Sequence, residues 1–169
     1  MSKEFICINR LPKRDSIYFS LDFSVLDKAL AIKSVHDWVE EELTRLSLCF
    51  LTKEDAQEAK KFLFEYMKEN PGEFSYLTEE PEAGTEVWMV TNAFLEYVPV
   101  SETLVYDPSD PESKFKFEFG LLYKTQEDAD KAISSMSKVI SEKSKQNASK
   151  LTQAHYPVGI FNRKYLNVF

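Results

Sequence analysis

The sequence predicts an α+β fold built from a duplicated unit in which antiparallel strands are followed by one helix. The main observation is an internal repeat with an offset of 73 residues, in which residues 48–59 align with residues 121–132 at six identical positions out of twelve. Each repeat also has helical spacing of apolar residues after this core and aromatic, strand-like sequence before it. We therefore expect both helices on one face of a mainly antiparallel sheet.

The helix of each repeat is predicted to bury the same face. In the first repeat the apolar positions are Ala56, Ala59, Leu63, Tyr66 and Met67. In the second repeat they are Ala129, Ala132, Met136, Val139 and Ile140. Both sets follow the spacing i, i+3, i+7, i+10 and i+11, which lies along one side of an α-helix.

A threonine is predicted to begin each of these helices. Thr52 and Thr125 suit the N-cap, because a threonine oxygen accepts from a backbone N–H that has no partner within the helix. Asp55 and Asp128 stand at the third helical position and reach back as in a capping box. A Pro-Gly pair after Asn70 ends the first helix there.

Other elements follow from local patterns. Strands are predicted at residues 4–9, 16–22, 85–91 and 94–100. Phe115, Phe117 and Phe119 alternate with polar residues, which predicts a further strand leading to Tyr123. Helix is predicted within residues 24–45, and residues 141–153 are read as a polar, solvated extension of the second repeat helix.

The repeat also suggests how the chain is organised. We assign residues 1–72 to the first repeat, residues 73–144 to the second and residues 145–169 to a basic C-terminal segment, all within one compact domain. With 43% apolar residues, a chain of 169 residues can bury a substantial core. Whether the apolar residues 156–169 belong to this core or to a partner is open.

Charge is unevenly distributed along the chain. The net charge is −7, but residues 131–169 hold seven Lys or Arg against one acid, so the remainder carries −13. No apolar run approaches the roughly 20 residues that span a bilayer, and the first residues lack the layout of a secretion signal. We expect a cytoplasmic protein without a membrane partner.

The sequence predicts no catalytic residue, cofactor or metal ligand. His36 and His155 stand alone, and Cys7 and Cys49 lack paired zinc-ligand spacing. Burial of both cysteines as small apolar residues is favoured, and a disulfide between them stays open. The four glycines are too far apart to form a phosphate-binding loop.

Residues 86–140 resemble a group of small phage and prophage proteins. The shared features are a Trp-bearing strand, here Val87-Trp-Met-Val90, a short acidic hairpin, here Asp107-Pro-Ser-Asp110, and a strand-to-helix junction of the type Gly-Asn-x-Phe-x-Thr-x-Glu-Glu-Ala. Leu121 replaces the usual Asn and Asp128 the second Glu. The resemblance, with a weaker copy over residues 17–67, implies a mobile-element origin and no particular activity.

Three functional hypotheses follow. The first is a non-enzymatic phage-type accessory protein that binds a host protein through an acidic surface, as an anti-defence inhibitor of a nuclease or CRISPR-type complex would. Its predicted contact residues are Glu79, Glu80, Glu82, Glu86, Asp107, Asp110 and Glu112. The oligomeric state of such a protein is open.

The two alternatives use other residues. A nucleic-acid-binding accessory protein would use the basic C-terminal segment. Its contact residues would be Lys143, Lys145, Lys150, Arg163 and Lys164. A metal-dependent enzyme would instead hold a hard cation with the carboxylates of residues 107–112.

Overall fold

The computed structural model describes residues 4–24, 28–92 and 98–153, with backbone alone for residues 151–153. It confirms the α+β prediction. The strands are β1 Ile17–Leu21, β2 Ala29–Lys33, β3 Glu86–Asn92, β4 Pro99–Val105 and β5 Leu122–Tyr123. The helices are α1 Trp38–Arg45, α2 Lys53–Glu69, α3 Pro111–Glu118 and α4 Gln126–Gln153, with a 3₁₀ turn at Pro71–Glu73.

The strands form two antiparallel sheets. β1 pairs with β2, and the second sheet has the order β4-β3-β5. Trp88 of β3 faces Thr103 of β4 on one side and Tyr123 of β5 on the other. Phe50 adds an isolated bridge to Phe19 of β1, so each repeat has a hairpin with a short third segment beside its first strand.

The duplication is visible in the positions of the helices. α1 and α3 are each eight residues long, and they begin 73 residues apart. Ser47 and Gly120 follow their C-caps with positive φ angles of 57° and 68°. The N–H of Leu48 and that of Leu121 then close the turn on carbonyls five residues earlier, at 2.8 Å in both repeats. Each repeat therefore contains two helices. α1 lies within the predicted helical range 24–45, whereas its counterpart α3 was not predicted.

Both predicted threonine caps are confirmed. The backbone N–H of Asp55 donates to Thr52 Oγ1 at 3.1 Å, and that of Asp128 donates to Thr125 Oγ1 at 3.2 Å. Each threonine hydroxyl donates in turn to the aspartate carboxylate at 2.7 Å. The aspartate thus reaches the cap side chain in both repeats. α2 ends at Glu69, as the Pro-Gly pair predicts.

The predicted strand at residues 115–119 is wrong, because this segment belongs to α3. Asp110 caps the helix, and Pro111 occupies its first position. Phe115 and Phe119 lie one turn apart and pack together at 4.8 Å between ring centroids, with Phe64 at 4.9 Å from Phe119. Phe117 packs against a different ring, that of Tyr106. Because this short helix packs against apolar residues on two sides, its sequence alternates between aromatic and polar residues, as that of a strand does.

Other local predictions differ in part. Residues 24–45 contain β2 as well as α1, and residues 4–9 form only one isolated bridge, from Cys7 to Phe50. The predicted strand at 94–100 falls largely outside the described residues, and β4 begins at Pro99. Residues 156–169 also lie outside them. The repeat boundaries at 72 and 144 stay predictions.

The described chain divides into two compact units. Unit 1 contains residues 4–21, 29–60 and 137–153, and unit 2 contains residues 22–24, 28, 61–92 and 98–136. In unit 2 the buried residues Val87, Tyr106 and Leu122 form a core cluster. Gly120 lies against the ring of Tyr76, where an added Cβ atom would come within 3.0 Å of the ring carbon Cδ1.

In unit 1 the end of α4 is not simply a solvated extension. Ser144 Oγ accepts the backbone N–H of Cys7 at 2.8 Å, and Asn147 Nδ2 donates to the carbonyl of Phe5 at 2.9 Å. Both side chains are buried. These polar residues hold the N-terminal segment to the helix by satisfying backbone groups that would otherwise be buried without a partner.

We expect Asn147→Ala to lower the free energy of unfolding by about 1–3 kcal/mol, because the carbonyl of Phe5 loses its buried donor. Gln146→Ala is the matched control, since Gln146 is exposed on the same helix. Urea unfolding measures both. Equal effects for the two variants would contradict this role.

Cys7 and Cys49 are free and buried. Burial raises the pKa of each thiol from 9.0 to about 12. The unfolded thiols therefore ionise first, and their contribution to stability is complete below pH 9 and lost as the pH rises from 9 toward 12. The two cysteines therefore do not form a disulfide in this structure.

We expect the free energy of unfolding to fall between pH 8 and pH 10 by a larger amount in the native chain than in a Cys7→Ala, Cys49→Ala variant. Parallel urea titrations at the two pH values measure this difference. A thiol reagent should modify neither cysteine in the folded protein and both after unfolding, and fast labelling of the folded chain would contradict their burial.

A candidate acidic interaction surface

The predicted acidic contact residues gather at one end of the β3–β4 hairpin. We call them the acidic surface: Glu79, Glu80, Glu82, Glu86, Asp107, Asp110 and Glu112. Glu86 pairs with Val105, so the chain entering β3 and the chain leaving β4 lie at the same end of the antiparallel pair. The hairpin thus brings together two segments that are separated by 20 residues or more in sequence.

Tyr106 connects these two segments. Its backbone N–H donates to the carbonyl of Thr85 and its carbonyl accepts from Gly84, both at 2.8 Å. Its side chain is fully buried, and its hydroxyl donates to the Glu80 carboxylate at 2.6 Å. Gly84 has a φ of 86°, which favours glycine at this turn. No feature of the local sequence pattern indicates this role of Tyr106.

The Glu80 carboxylate also controls the titration of Tyr106. Its hydrogen bond is the main cause that raises the pKa of Tyr106 to about 12, and burial of the ring adds to it. The phenol therefore keeps its proton at neutral pH and remains a donor to Glu80. The two segments stay joined over the whole physiological range.

Two carboxylates of the acidic surface stabilise the turn before α3. Asp107 accepts from the backbone N–H of Ser109 at 2.8 Å and from its hydroxyl at 2.7 Å. Asp110 accepts from the backbone N–H of Ser113 at 2.8 Å as the helix N-cap. These hydrogen bonds lower the pKa of both carboxyl groups, so both are charged at neutral pH.

The remaining carboxylates have no such role. Glu79, Glu82, Glu86 and Glu112 are exposed, and within the described residues their side chains make no hydrogen bond or ion pair. The stretch between Lys68 and Lys114 contains eleven Asp or Glu and no Lys, Arg or His. The sequence that supplies the acidic surface is therefore strongly negative, and Lys114 and Lys116 of α3 are the first cations after it along the chain.

A metal-dependent enzyme would need ligands that lie close together. In the part of the chain that the structure describes, no three His, Cys, Asp or Glu side chains are placed to hold a metal ion. Asp107 and Asp110 face their own turn. The His36 ring lies 2.7 Å from the carbonyl of Pro12 through Nε2, in a local contact. His155 lies outside the described residues.

The basic alternative is only partly described. Lys143, Lys145 and Lys150 are on the last turns of α4, whereas Arg163 and Lys164 lie outside the described residues. At 100° per residue, Lys143 and Lys150 share a side of the helix and Lys145 lies on another. These three lysines therefore do not form one stripe along α4.

Unit 2 also contains an open groove of about 950 Å³ between the 3₁₀ turn and the start of α4. Its lining includes Glu73, Glu127, Asp128 and Asp130. The one lysine that lines it, Lys131, pairs with Glu127 at 2.6 Å. An anionic ligand would be repelled here, and the helix start is already capped by Thr125.

Comparisons with protein families, with characterised proteins and with solved structures find no match to this chain. Among the described helices, none combines the length and the apolar character that crossing a bilayer needs.

We expect Tyr106→Phe to lower the urea midpoint, because it removes the hydroxyl that joins β4 to the Glu80 segment. Glu80→Gln keeps an acceptor at the same place and should lower the midpoint less, since hydrogen bonds to charged acceptors are stronger than neutral ones. If both variants unfold at the midpoint of the native chain, this hydrogen bond does not hold the surface together.

Proposed function

We propose that this chain is a non-enzymatic accessory protein of phage type that binds a basic groove of a cytoplasmic host protein through the acidic surface. A nuclease or a CRISPR-type defence complex has such a groove, because it must hold nucleic acid. The observation that carries the proposal is the group of exposed carboxylates at one end of a hairpin whose side chains make no hydrogen bond or ion pair within the described residues.

Electrostatics supports a basic protein as the partner. A surface of one sign steers an oppositely charged partner toward it and repels nucleic acid. The effect extends over about 10 Å at 0.1 M salt. Binding should therefore be fast at low salt and should slow markedly as salt is added.

The local structure favours a surface that is ordered before binding. Tyr106 ties the two acidic segments together, and Asp107 and Asp110 order the turn that carries Glu112. A surface that is already ordered loses less conformational entropy when it binds. Four carboxylates are then free to contact the partner, while Glu80, Asp107 and Asp110 order the end of the hairpin.

The resemblance to phage and prophage proteins supports the choice of a host target. Proteins of mobile elements gain from blocking host nucleases, and a small acidic protein can do so by occupying the site of the nucleic acid. This step is an analogy between classes of protein and carries less weight than the charge and geometry.

The test is affinity purification from a bacterial lysate, with half of the sample treated with nuclease. The native chain is compared with Glu79→Gln, Glu82→Gln, Glu86→Gln in one variant. The control is Glu65→Gln, Glu69→Gln, Glu142→Gln, which changes the net charge equally at exposed positions elsewhere. We expect a stoichiometric partner that resists nuclease and is lost, by tenfold or more in affinity, only in the first variant.

The same experiment separates the alternatives. Nucleic acid that is recovered with the chain and disappears after nuclease treatment would favour the nucleic-acid-binding hypothesis, and equal binding by both charge variants would contradict the acidic surface. Under the metal hypothesis, Mg²⁺ or Ca²⁺ would raise the melting temperature by linkage. The proposed function predicts no such rise.

A further inference from the structure

Lys116 is a lysine that lies completely inside unit 2. It belongs to α3, its exposed fraction is 0%, and its Nζ donates to two backbone carbonyls, those of Val90 at 2.8 Å and Phe23 at 2.9 Å. Within the described residues, these carbonyls are the hydrogen-bond acceptors of its amine. A buried lysine without a carboxylate in direct contact is rare, because removing an ammonium group from water is costly.

The duplication supplies an internal reference for this position. The residue 73 positions earlier is Leu43 on α1, which is also 0% exposed. The backbone around the two residues is the same, since each carbonyl accepts the turn-closing N–H of Leu48 or Leu121 at 2.8 Å. Leucine thus satisfies the fold at this position, and the lysine of the second repeat needs a separate explanation.

The amine replaces a missing strand contact on β3. The N–H of Val90 donates to the carbonyl of Leu121 at 2.9 Å, so the carbonyl of Val90 points to the same side. β5 begins only at Leu122, and Lys116 supplies the donor instead. Lys116 therefore satisfies a backbone carbonyl of the central strand of this sheet at a position where β5 does not.

The second carbonyl belongs to the segment that follows β1. The N–H of Phe23 donates to Asn92 Oδ1 at 2.8 Å, while its carbonyl accepts from Lys116. Residues 22–24 are thus held to β3 and α3 at both backbone groups of Phe23, whose side chain is 1% exposed. Release of this segment would expose an aromatic ring and the carbonyl of Val90 together.

We propose that Lys116 is a proton-controlled latch that holds residues 22–24 against β3. A neutral amine has two N–H groups, which match the two carbonyls. An ammonium group has three, and the third has no acceptor among the described residues. Protonation therefore weakens the closed state and favours an opening that lets the side chain reach water.

The charges around the amine set the pH at which the latch changes. Glu112 of α3, Asp22 of the held segment and Glu102 of β4 all favour the ammonium form. Burial outweighs them and lowers the pKa of Lys116 from 10.5 to about 8. In the closed state the amine of Lys116 therefore titrates under mildly alkaline conditions, and most of it carries its proton at pH 7.

The sign of the pH effect follows from linkage. Because the pKa is lower in the closed state than in the open or unfolded state, the stabilising contribution is complete above pH 10.5 and is lost as the pH falls through 8. Between pH 7 and pH 9 the equilibrium constant for opening should fall about tenfold.

The test compares native chain with Lys116→Met, and with Lys114→Met as an exposed control on the same helix. Hydrogen exchange at the Phe23 amide, corrected for the intrinsic pH dependence, gives the opening equilibrium at pH 7, 8 and 9. We expect the tenfold change in the native chain and in Lys114→Met, and a pH-independent, faster exchange in Lys116→Met. Taking differences between variants cancels the opposite effect of the two buried thiols.

A second measurement does not depend on the variant folding. The ¹³Cε chemical shift of Lys116, followed by NMR from pH 6 to pH 11 in the native chain, reports its titration directly. A transition near pH 8 supports the latch. A transition near 10.5, or a Phe23 amide that exchanges equally in native chain and Lys116→Met, would overturn it.

Discussion

The fold depends on a reversal of the chain that occurs once in each repeat, between the short first helix and the long second helix. A residue with positive φ ends the first helix, two or three residues run along the hairpin, and a threonine caps the next helix. The N–H of the residue after the turn returns to the first helix at 2.8 Å in both repeats. These local hydrogen bonds fix the direction of the long helix relative to its hairpin.

The same reversal explains which parts of the structure could be predicted from the sequence. Caps, helix ends and the hairpin strands depend on neighbouring residues, so Thr52, Thr125 and the Pro-Gly pair after Asn70 were sufficient. α3 was mistaken for a strand because its aromatic residues contact apolar surfaces on two sides. An alternation of apolar and polar residues is therefore found both in a strand and in a short helix that is buried on two sides, and the sequence alone does not distinguish them.

The buried polar residues were beyond prediction for another reason. Lys116, Ser144 and Asn147 each bond to a backbone group more than 90 residues away in sequence, and nothing near them marks that partner. As isolated residues on helices, they resemble solvated positions. The acidic surface is intermediate: composition identified its residues, but only the pairing of β3 with β4 showed that they lie together.

The carboxylates of the acidic surface fall into two groups: some accept hydrogen bonds that order the end of the hairpin, and the others extend into solvent. Asp107, Asp110 and Glu80 order the hairpin end by accepting hydrogen bonds, whereas Glu79, Glu82, Glu86 and Glu112 remain in solvent. The carboxylates that accept these hydrogen bonds make them stronger, because hydrogen bonds to a charged acceptor are stronger than those to a neutral one. A surface made in this way keeps its shape without apolar contacts at its exposed end.

Gly120 shows that the two repeats have ceased to be interchangeable. Its counterpart Ser47 adopts the same left-handed conformation with a side chain, but at Gly120 the ring of Tyr76 occupies the space where a Cβ atom would be. A glycine could replace Ser47 at little steric cost, while a serine at position 120 would require the ring of Tyr76 to shift by a few tenths of an ångström. The packing of Tyr76 thus favours glycine at position 120 for a second reason besides its positive φ, a reason that does not apply to Ser47.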